Sequence, residues 1–138
     1  MFDHCLYFNT TALARRLERE WVGAFAPFDL SPPQAFMLRA VLDQPGLLQR
    51  ELSSSLAIAR PTATRALDFL AAKGFIERRG TRGDGREISI WPTAAAQHIH
   101  AELNAASGAI TARLKKRLGA DSFATTVERI RGVRSALD

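Results

Sequence analysis

The 138-residue sequence predicts a mainly α-helical fold carrying one small β-hairpin, on three observations. Apolar residues recur at helical spacing through most of the chain. Two period-two runs, 75–79 and 87–91, face each other across the glycine-marked turn GTRGDGR. Between the helical segments, caps and breakers fall at short intervals: Ser31-Pro32-Pro33, Pro45-Gly46, Arg60-Pro61, Lys73-Gly74 and Pro92-Thr93.

The first helix is predicted over Thr11 to Phe25. Leu13, Leu17, Trp21 and Phe25 recur every three or four residues, with Arg15, Arg16, Glu18, Arg19 and Glu20 between them. Pro27 closes it. Ser31 as cap, with Pro32 or Pro33 in the first turn, opens a second helix over Pro33 to Leu42, whose Phe36, Leu38, Val41 and Leu42 read as mostly core. Pro45-Gly46 ends it, and Leu47-Leu48 has the look of a very short strand. A brief third helix starts near Gln49 with Glu51, Leu52 and Leu56, and Ala57-Ile58-Ala59 interrupts it.

Arg60-Pro61 opens a fourth helix that buries Ala63, Leu67 and Leu70 and carries Thr62, Arg65 and Phe69 on a different face. Lys73-Gly74 supplies a basic last turn and a glycine stop. The hairpin strands follow. Pro92-Thr93 leads into a long helix with Ile99, Leu103, Ile110, Leu114 and Leu118 as its apolar positions and Gly108 as a point of weakness. Asp121 or Ser122 is positioned to cap a last helix bearing Phe123, Val127, Ile130 and Leu137.

At this length one cored domain with a helical extension is expected, spanning residues 1–138. Hydrophobic residues at 46% and charged residues at 24% make a balance typical of folded soluble proteins. The apolar runs are too short to span a bilayer, and the N-terminal twenty residues lack the order of an export signal, so a cytoplasmic location is expected. The single Cys5 leaves no partner for an intrachain disulfide and excludes a multi-cysteine zinc site. His98 and His100, two apart, fall on different faces of a helix. No metal or cofactor is expected.

The net charge is +5, and all basic residues except Lys73, Lys115, Lys116 and the histidines are arginine. Arginine suits phosphate oxygens and guanine edges. Where these residues fall matters more than their sum. Two short helices, a hairpin with arginines on its strands and tip, and the mouth of another helix follow one another from Gln49 to Pro92, and residues 30–92 together have the order of a winged-helix core that reads double-stranded DNA.

The start of the fourth helix offers Arg60, Thr62, Thr64 and Arg65. Its dipole end can face a phosphate, and Arg65 is the first choice for a base-edge contact, worth about 1–3 kcal/mol of discrimination. Thr62 and Thr64 suit phosphate or a thymine methyl. Arg82 and Arg86 at the hairpin tip suit the minor groove, with Asp84 orienting Arg86. Arg78 and Arg79 are placed to flank the DNA backbone, although only one can point outward on a regular strand.

The flanking segments, 1–28 and 93–138, carry more apolar surface than so small a reader can cover. Leu13, Leu114, Leu118, Phe123, Val127, Ile130 and Leu137 therefore read as a dimerisation surface, since two-fold pairing hides the same stripe on both copies. Packing within the chain's own domain is the alternative.

The span from about Leu30 to Ala96 resembles the MarR family of bacterial winged-helix regulators. The segment LSPPQAFMLRAV, with Leu30 and Gln34, matches the start of the family's second helix. LAIARPTATRALDFLAAKGFIERR matches its recognition helix, and Asp84 followed two residues later by Arg86 matches its wing. The resemblance implies a homodimer on a palindromic operator, usually a repressor released by a small molecule or an oxidant. Three positions depart from the family pattern: Ala59 stands where serine usually caps the recognition helix, Pro92 precedes Thr93 where leucine is usual, and Ala96 replaces a glycine. The first removes about 1 kcal/mol of capping.

Two switching routes follow from the resemblance. One is an aromatic acid or phenol lodged between reader and dimerisation helices, with Trp21, Phe25, Phe28, Phe36 and Met37 as candidate lining residues that could equally be core. The other is a peroxide-reactive thiol, Cys5, beside His4 and Tyr7. Adjacent helical residues do not face each other, so His4 need not activate the thiol. Catalysis lacks a nucleophile with its base or a phosphate loop, and GTRGDG has no lysine. A winged helix that binds protein rather than DNA is the remaining alternative, opposed by Arg60, Arg65, Arg82 and Arg86.

Overall fold

A computed structural model describes residues 1–80 and 87–138. Among these the chain forms α1 (Leu6–Phe25), a 3-10 turn (Ala26–Phe28), α2 (Pro32–Asp43), α3 (Gln49–Ser55), α4 (Arg60–Ala72), β1 (Ile76–Gly80), β2 (Ile88–Pro92), α5 (Ala94–Leu118) and α6 (Ala120–Leu137). The fold is mainly α with a two-stranded antiparallel hairpin, a winged helix-turn-helix.

Helix α1 starts five residues earlier than its periodicity predicts. Cys5 caps it, its Sγ accepting from the Phe8 N–H at 3.5 Å, and the Asn9 amide donates back to the carbonyls of Asp3 and Cys5 at 3.0 and 2.9 Å. Residues 6–10 are exposed, so no apolar repeat announced those turns. The α2 cap is as expected: Ser31 Oγ accepts from the Gln34 N–H at 3.4 Å and Gln34 Oε1 accepts from the Ser31 N–H at 2.9 Å. Its core assignment needs one exchange. Phe36 is 39% exposed, whereas Met37 is fully buried.

The core gathers Phe25, Leu30, Ala35, Met37, Leu38, Val41, Leu42, Leu52, Ala63, Leu67, Leu70, Ile76, Ile90 and Leu103 from every element except the 3-10 turn and α6. Helix α4 ends as its sequence requires. Gly74 takes φ +80°, the Gly74 N–H donates to the Ala71 carbonyl at 3.0 Å and the Phe75 N–H to the Leu70 carbonyl at 2.9 Å. That closure uses the Phe75 N–H, and the hairpin begins one residue later than predicted, pairing Ile76 with Pro92 and Gly80 with Ile88.

The base of the hairpin is anchored by the segment before α3. Ile90 donates to the Leu47 carbonyl at 2.9 Å and accepts from the Gly46 N–H at 2.8 Å, and Leu48 bridges Ser89. Gly46 holds φ +90° directly beneath the Trp91 ring, where a Cβ would meet the ring at 2.8 Å. Only glycine satisfies both demands.

Thr93 caps α5 through Oγ1, accepting from the Ala96 N–H at 3.3 Å while donating to the Gly74 carbonyl at 2.6 Å. One hydroxyl thus ties the long helix to the end of α4. Helix α5 runs through Gly108 without interruption. The cap of α6 corrects the expectation of Asp121 or Ser122: Gly119, at φ +88°, accepts the N–H of Phe123 at 2.9 Å and donates to Lys115 at 2.8 Å. The left-handed glycine turns the chain within one residue, which places Asp121 inside the first turn of α6.

Candidate nucleic-acid interface

Helix α4 has a buried side of Ala63, Ala66, Leu67 and Leu70 and an exposed ridge of Pro61, Arg65, Asp68 and Ala72, at the i, i+4, i+7, i+11 spacing of one helical face. Arg65 holds no carboxylate among the described residues. Arg60, also exposed, occupies the first helical position, and Ala59 provides no side-chain cap. Among the described residues, no side chain caps the positive end of α4 and its first turn carries no acid.

The threonines differ from this ridge. Thr62 is half-buried. Thr64 is also half-buried, and its hydroxyl donates to the Arg60 carbonyl at 3.0 Å while accepting from Gln49 Nε2 at 3.2 Å. This polar clamp joins α3 to α4. Around it lies a groove of about 320 Å³ lined by Gln49, Arg50, Ser53, Arg60, Thr64, Glu87 and Ile88.

Arg50 was missed in reading the sequence. It stands at the second position of α3, exposed beside the groove, with its guanidinium 2.9 Å from Glu87. The available signal was Gln49-Arg50 at a helix start facing Arg60, but only the packing of α3 on α4 and β2 brings these groups together.

The strand arginines alternate as a strand demands. Arg78 turns inward toward α4 and meets Asp68 at 2.7 Å. Arg79 turns outward, its guanidinium 4.6 Å from the Trp91 ring centroid and 3.3 Å from Glu77. Trp91 is braced in turn, its Nε1–H donating to Ser89 Oγ at 2.9 Å. Both guanidinium groups thus have partners within the wing and its neighbouring helix. Arg82, Asp84 and Arg86 lie outside the described residues.

Away from the reader, a stripe of apolar side chains is exposed. Leu13 is 44% exposed, Leu118 52%, Val127 41%, Ile130 52% and Leu137 79%, while Leu114 and Phe123 are half-buried. Helix α6 buries none of its residues. Of the candidate ligand-lining residues, Phe25 and Met37 are fully packed in the core, and Trp21 and Phe28 are half-buried against it. Trp21 donates through Nε1 to Ser107 Oγ at 3.1 Å, joining α1 to α5. Phe36 lies edge-on to Phe25 with centroids 5.9 Å apart. Cys5 is exposed and carries a free thiol.

Between α1 and α5, Glu20 accepts from Arg16 at 2.8 Å and from Arg113 at 3.0 Å. The hydrogen bond from Arg16, reinforced by both positive charges, holds its carboxyl below the ordinary value of 4.5, against a smaller opposing effect of desolvation. No helix among the described residues is long and apolar enough to cross a membrane.

The sequence model of the MarR family matches residues 28–87, the segment that forms the helix-turn-helix and reaches into the hairpin. The HTH-type transcriptional regulator TtmR of Methylorubrum extorquens is 32% identical over 91 residues, covering 66% of this chain and 47% of TtmR, so the chain spans about half the length of that relative. Among solved structures, the PcaV transcriptional regulator of Streptomyces coelicolor, in complex with its natural ligand, superposes with a TM-score of 0.80 at 25% identity, over 91% of this chain and 92% of PcaV. The MepR–DNA complex of S. aureus superposes with a TM-score of 0.86 over 99% of this chain and all of MepR, and at 17% identity that likeness concerns the fold alone. With the reading helix, wing and flanking helices in the arrangement described above, the chain belongs to the MarR family of winged helix-turn-helix transcriptional regulators.

Proposed function

We propose that two copies of this chain bind palindromic double-stranded DNA with the α4 ridge in the major groove, repressing transcription until a small aromatic ligand releases them. The observation that carries this reading is Arg65. It stands on the exposed ridge of a helix whose other side is core, and no carboxylate among the described residues holds it. A planar fork of donors in that position suits the O6 and N7 acceptors of guanine. Arg60 and Arg50 lie beside it for phosphate, Arg50 exchanging Glu87 for a phosphate oxygen.

The exposed stripe on α1, α5 and α6 supports the dimer. Leu118, Val127, Ile130 and Leu137 on so short a stretch of chain form a surface that a second copy covers by symmetry. The solved MepR complex contains DNA and the PcaV complex a ligand, which supports both halves of the cycle by analogy.

The test is a fluorescence titration of the protein against duplex DNA flanking its own gene and a scrambled duplex. The expected result is tight, salt-dependent binding to the first, with Arg65→Ala reducing the preference by about 1–3 kcal/mol. Equal affinity for both duplexes, unchanged in the variant, would overturn the reading surface and favour a protein-binding winged helix.

A further inference from the structure

Glu87 and Arg50 face each other across the groove beside the reading helix, carboxylate to guanidinium at 2.9 Å. The backbone brings them there. Leu48 bridges Ser89 in the antiparallel sense, and moving two residues outward along each chain from that bridge arrives at Arg50 and Glu87. Gln49, Arg50, Ser53, Arg60 and Thr64 line the helical side of the groove, and Glu87 is the one acid among its described lining residues. The adjacent Glu51 is engaged elsewhere, accepting the Leu48 N–H at 2.8 Å at the start of α3. Of Arg50, Arg60 and Arg65, Arg50 alone holds a carboxylate among the described residues.

Folding has little need of this pair. The Arg50 side chain is 65% exposed and that of Glu87 39%, so water screens the attraction and the net gain in stability is small. The same two segments are already joined through the backbone, by the Ile90 N–H to the Leu47 carbonyl at 2.9 Å and the Gly46 N–H to the Ile90 carbonyl at 2.8 Å. What the pair does change is what Arg50 can offer to a third group. A carboxylate and a phosphate present similar oxygens to a guanidinium, so the two compete for it. A phosphate that takes Arg50 also leaves the Glu87 carboxylate beside a polyanion, where like charges repel.

We infer that Glu87 is an intrachain competitor for DNA phosphate. By holding Arg50 in the unbound protein it lowers the affinity for every duplex by the same factor and sets how readily the protein leaves DNA, while base preference stays with Arg65. The effect is uniform because a phosphate carries no sequence information. It also alters the response to salt. Contact with a phosphate releases cations from DNA, and the carboxylate freed by the exchange gathers cations of its own, which offsets part of that release. The inference deepens the proposed DNA binding and rests on it.

The experiment is a fluorescence titration of the full chain and of Glu87→Gln, Arg50→Ala and the double variant, against the duplex flanking the gene and its scrambled form, over a range of salt concentrations. Glu87→Gln should bind both duplexes more tightly by roughly 5-fold at low salt, the scale of one charge–charge contact in water, with the ratio between duplexes and the melting temperature unchanged. Its slope of log affinity against log salt should be steeper, by up to about one unit. With Arg50→Ala in place, Glu87→Gln should tighten binding by no more than about 2-fold, since only repulsion of phosphate then remains. Weaker binding by Glu87→Gln would show that the carboxylate braces Arg50 for DNA and would overturn the inference. So would an equal gain with and without Arg50, or a gain confined to one duplex. Binding by the parent that Glu87→Gln leaves untouched overturns this inference alone, whereas no saturable binding by the parent or any variant overturns the DNA reading together with it.

Discussion

Arg78 of β1 and Asp68 of α4 meet at 2.7 Å, joining the wing to the reading helix at the ridge that carries Arg65. The Arg78 side chain is 28% exposed and that of Asp68 61%, so solvent screens the pair and its direct contribution to stability is modest. Its geometric effect is larger. It ties the root of the hairpin to the helix, and in the proposed complex Arg78 would have to exchange Asp68 for any phosphate it contacted.

A double-mutant cycle tests this. Asp68→Ala and Arg78→Ala should couple by about 0.5–1 kcal/mol in urea unfolding, and either change should weaken DNA binding by misaligning the wing. Additive effects on both stability and DNA affinity would show that the two residues act independently.

Ala59 already has the extended backbone of a helix cap, φ −66° and ψ 149°, yet offers no acceptor. Ala59→Ser should therefore stabilise the protein by roughly 1 kcal/mol, seen as a rise in melting temperature. A fall would mean that the position cannot accommodate the hydroxyl.

The apolar stripe gives a prediction about assembly. Ile130 is 52% exposed on a helix that buries none of its residues, so, in the proposed dimer, Ile130→Asp should leave the fold intact while shifting sedimentation from dimer to monomer. Preserved dimerisation would place the contact elsewhere.

Glu20 links stability to pH. Its carboxyl is held low in the folded chain, chiefly by the Arg16 hydrogen bond, so its favourable contribution is present above the ordinary value of 4.5 and is lost as pH falls through the lower folded value. Glu20→Gln should flatten the acid limb of a melting-temperature profile below about pH 4.5. An acid limb identical to that of the parent would show that Arg16 and Arg113 do not stabilise the carboxylate.

Much of this architecture was legible in the sequence by itself. Ser31 with Gln34, Lys73-Gly74 and Thr93 each act on backbone groups within a few residues, and the alternation of the two strands depends on backbone geometry alone. Such features depend mostly on neighbouring residues, which is why helix order, hairpin and family resemblance could be read directly. Of the face read as Thr62, Arg65 and Phe69, Arg65 stands on the exposed ridge, whereas Thr62 and Phe69 are half-buried.

Tertiary structure decided what the long side chains do. Nothing local told Arg78 from Arg79, yet one reaches across to Asp68 and the other lies over Trp91. The Thr64 hydroxyl, read as a candidate DNA contact, is engaged by Gln49 and the Arg60 carbonyl once α3 packs on α4, and Phe36, read as mostly core, is 39% exposed. The early start of α1 had no periodic signal, since its first turns face solvent. Caps and periodicity are short-range and therefore written in adjacent residues, whereas an arginine or glutamine spans several ångströms and finds its partner only after distant helices have packed.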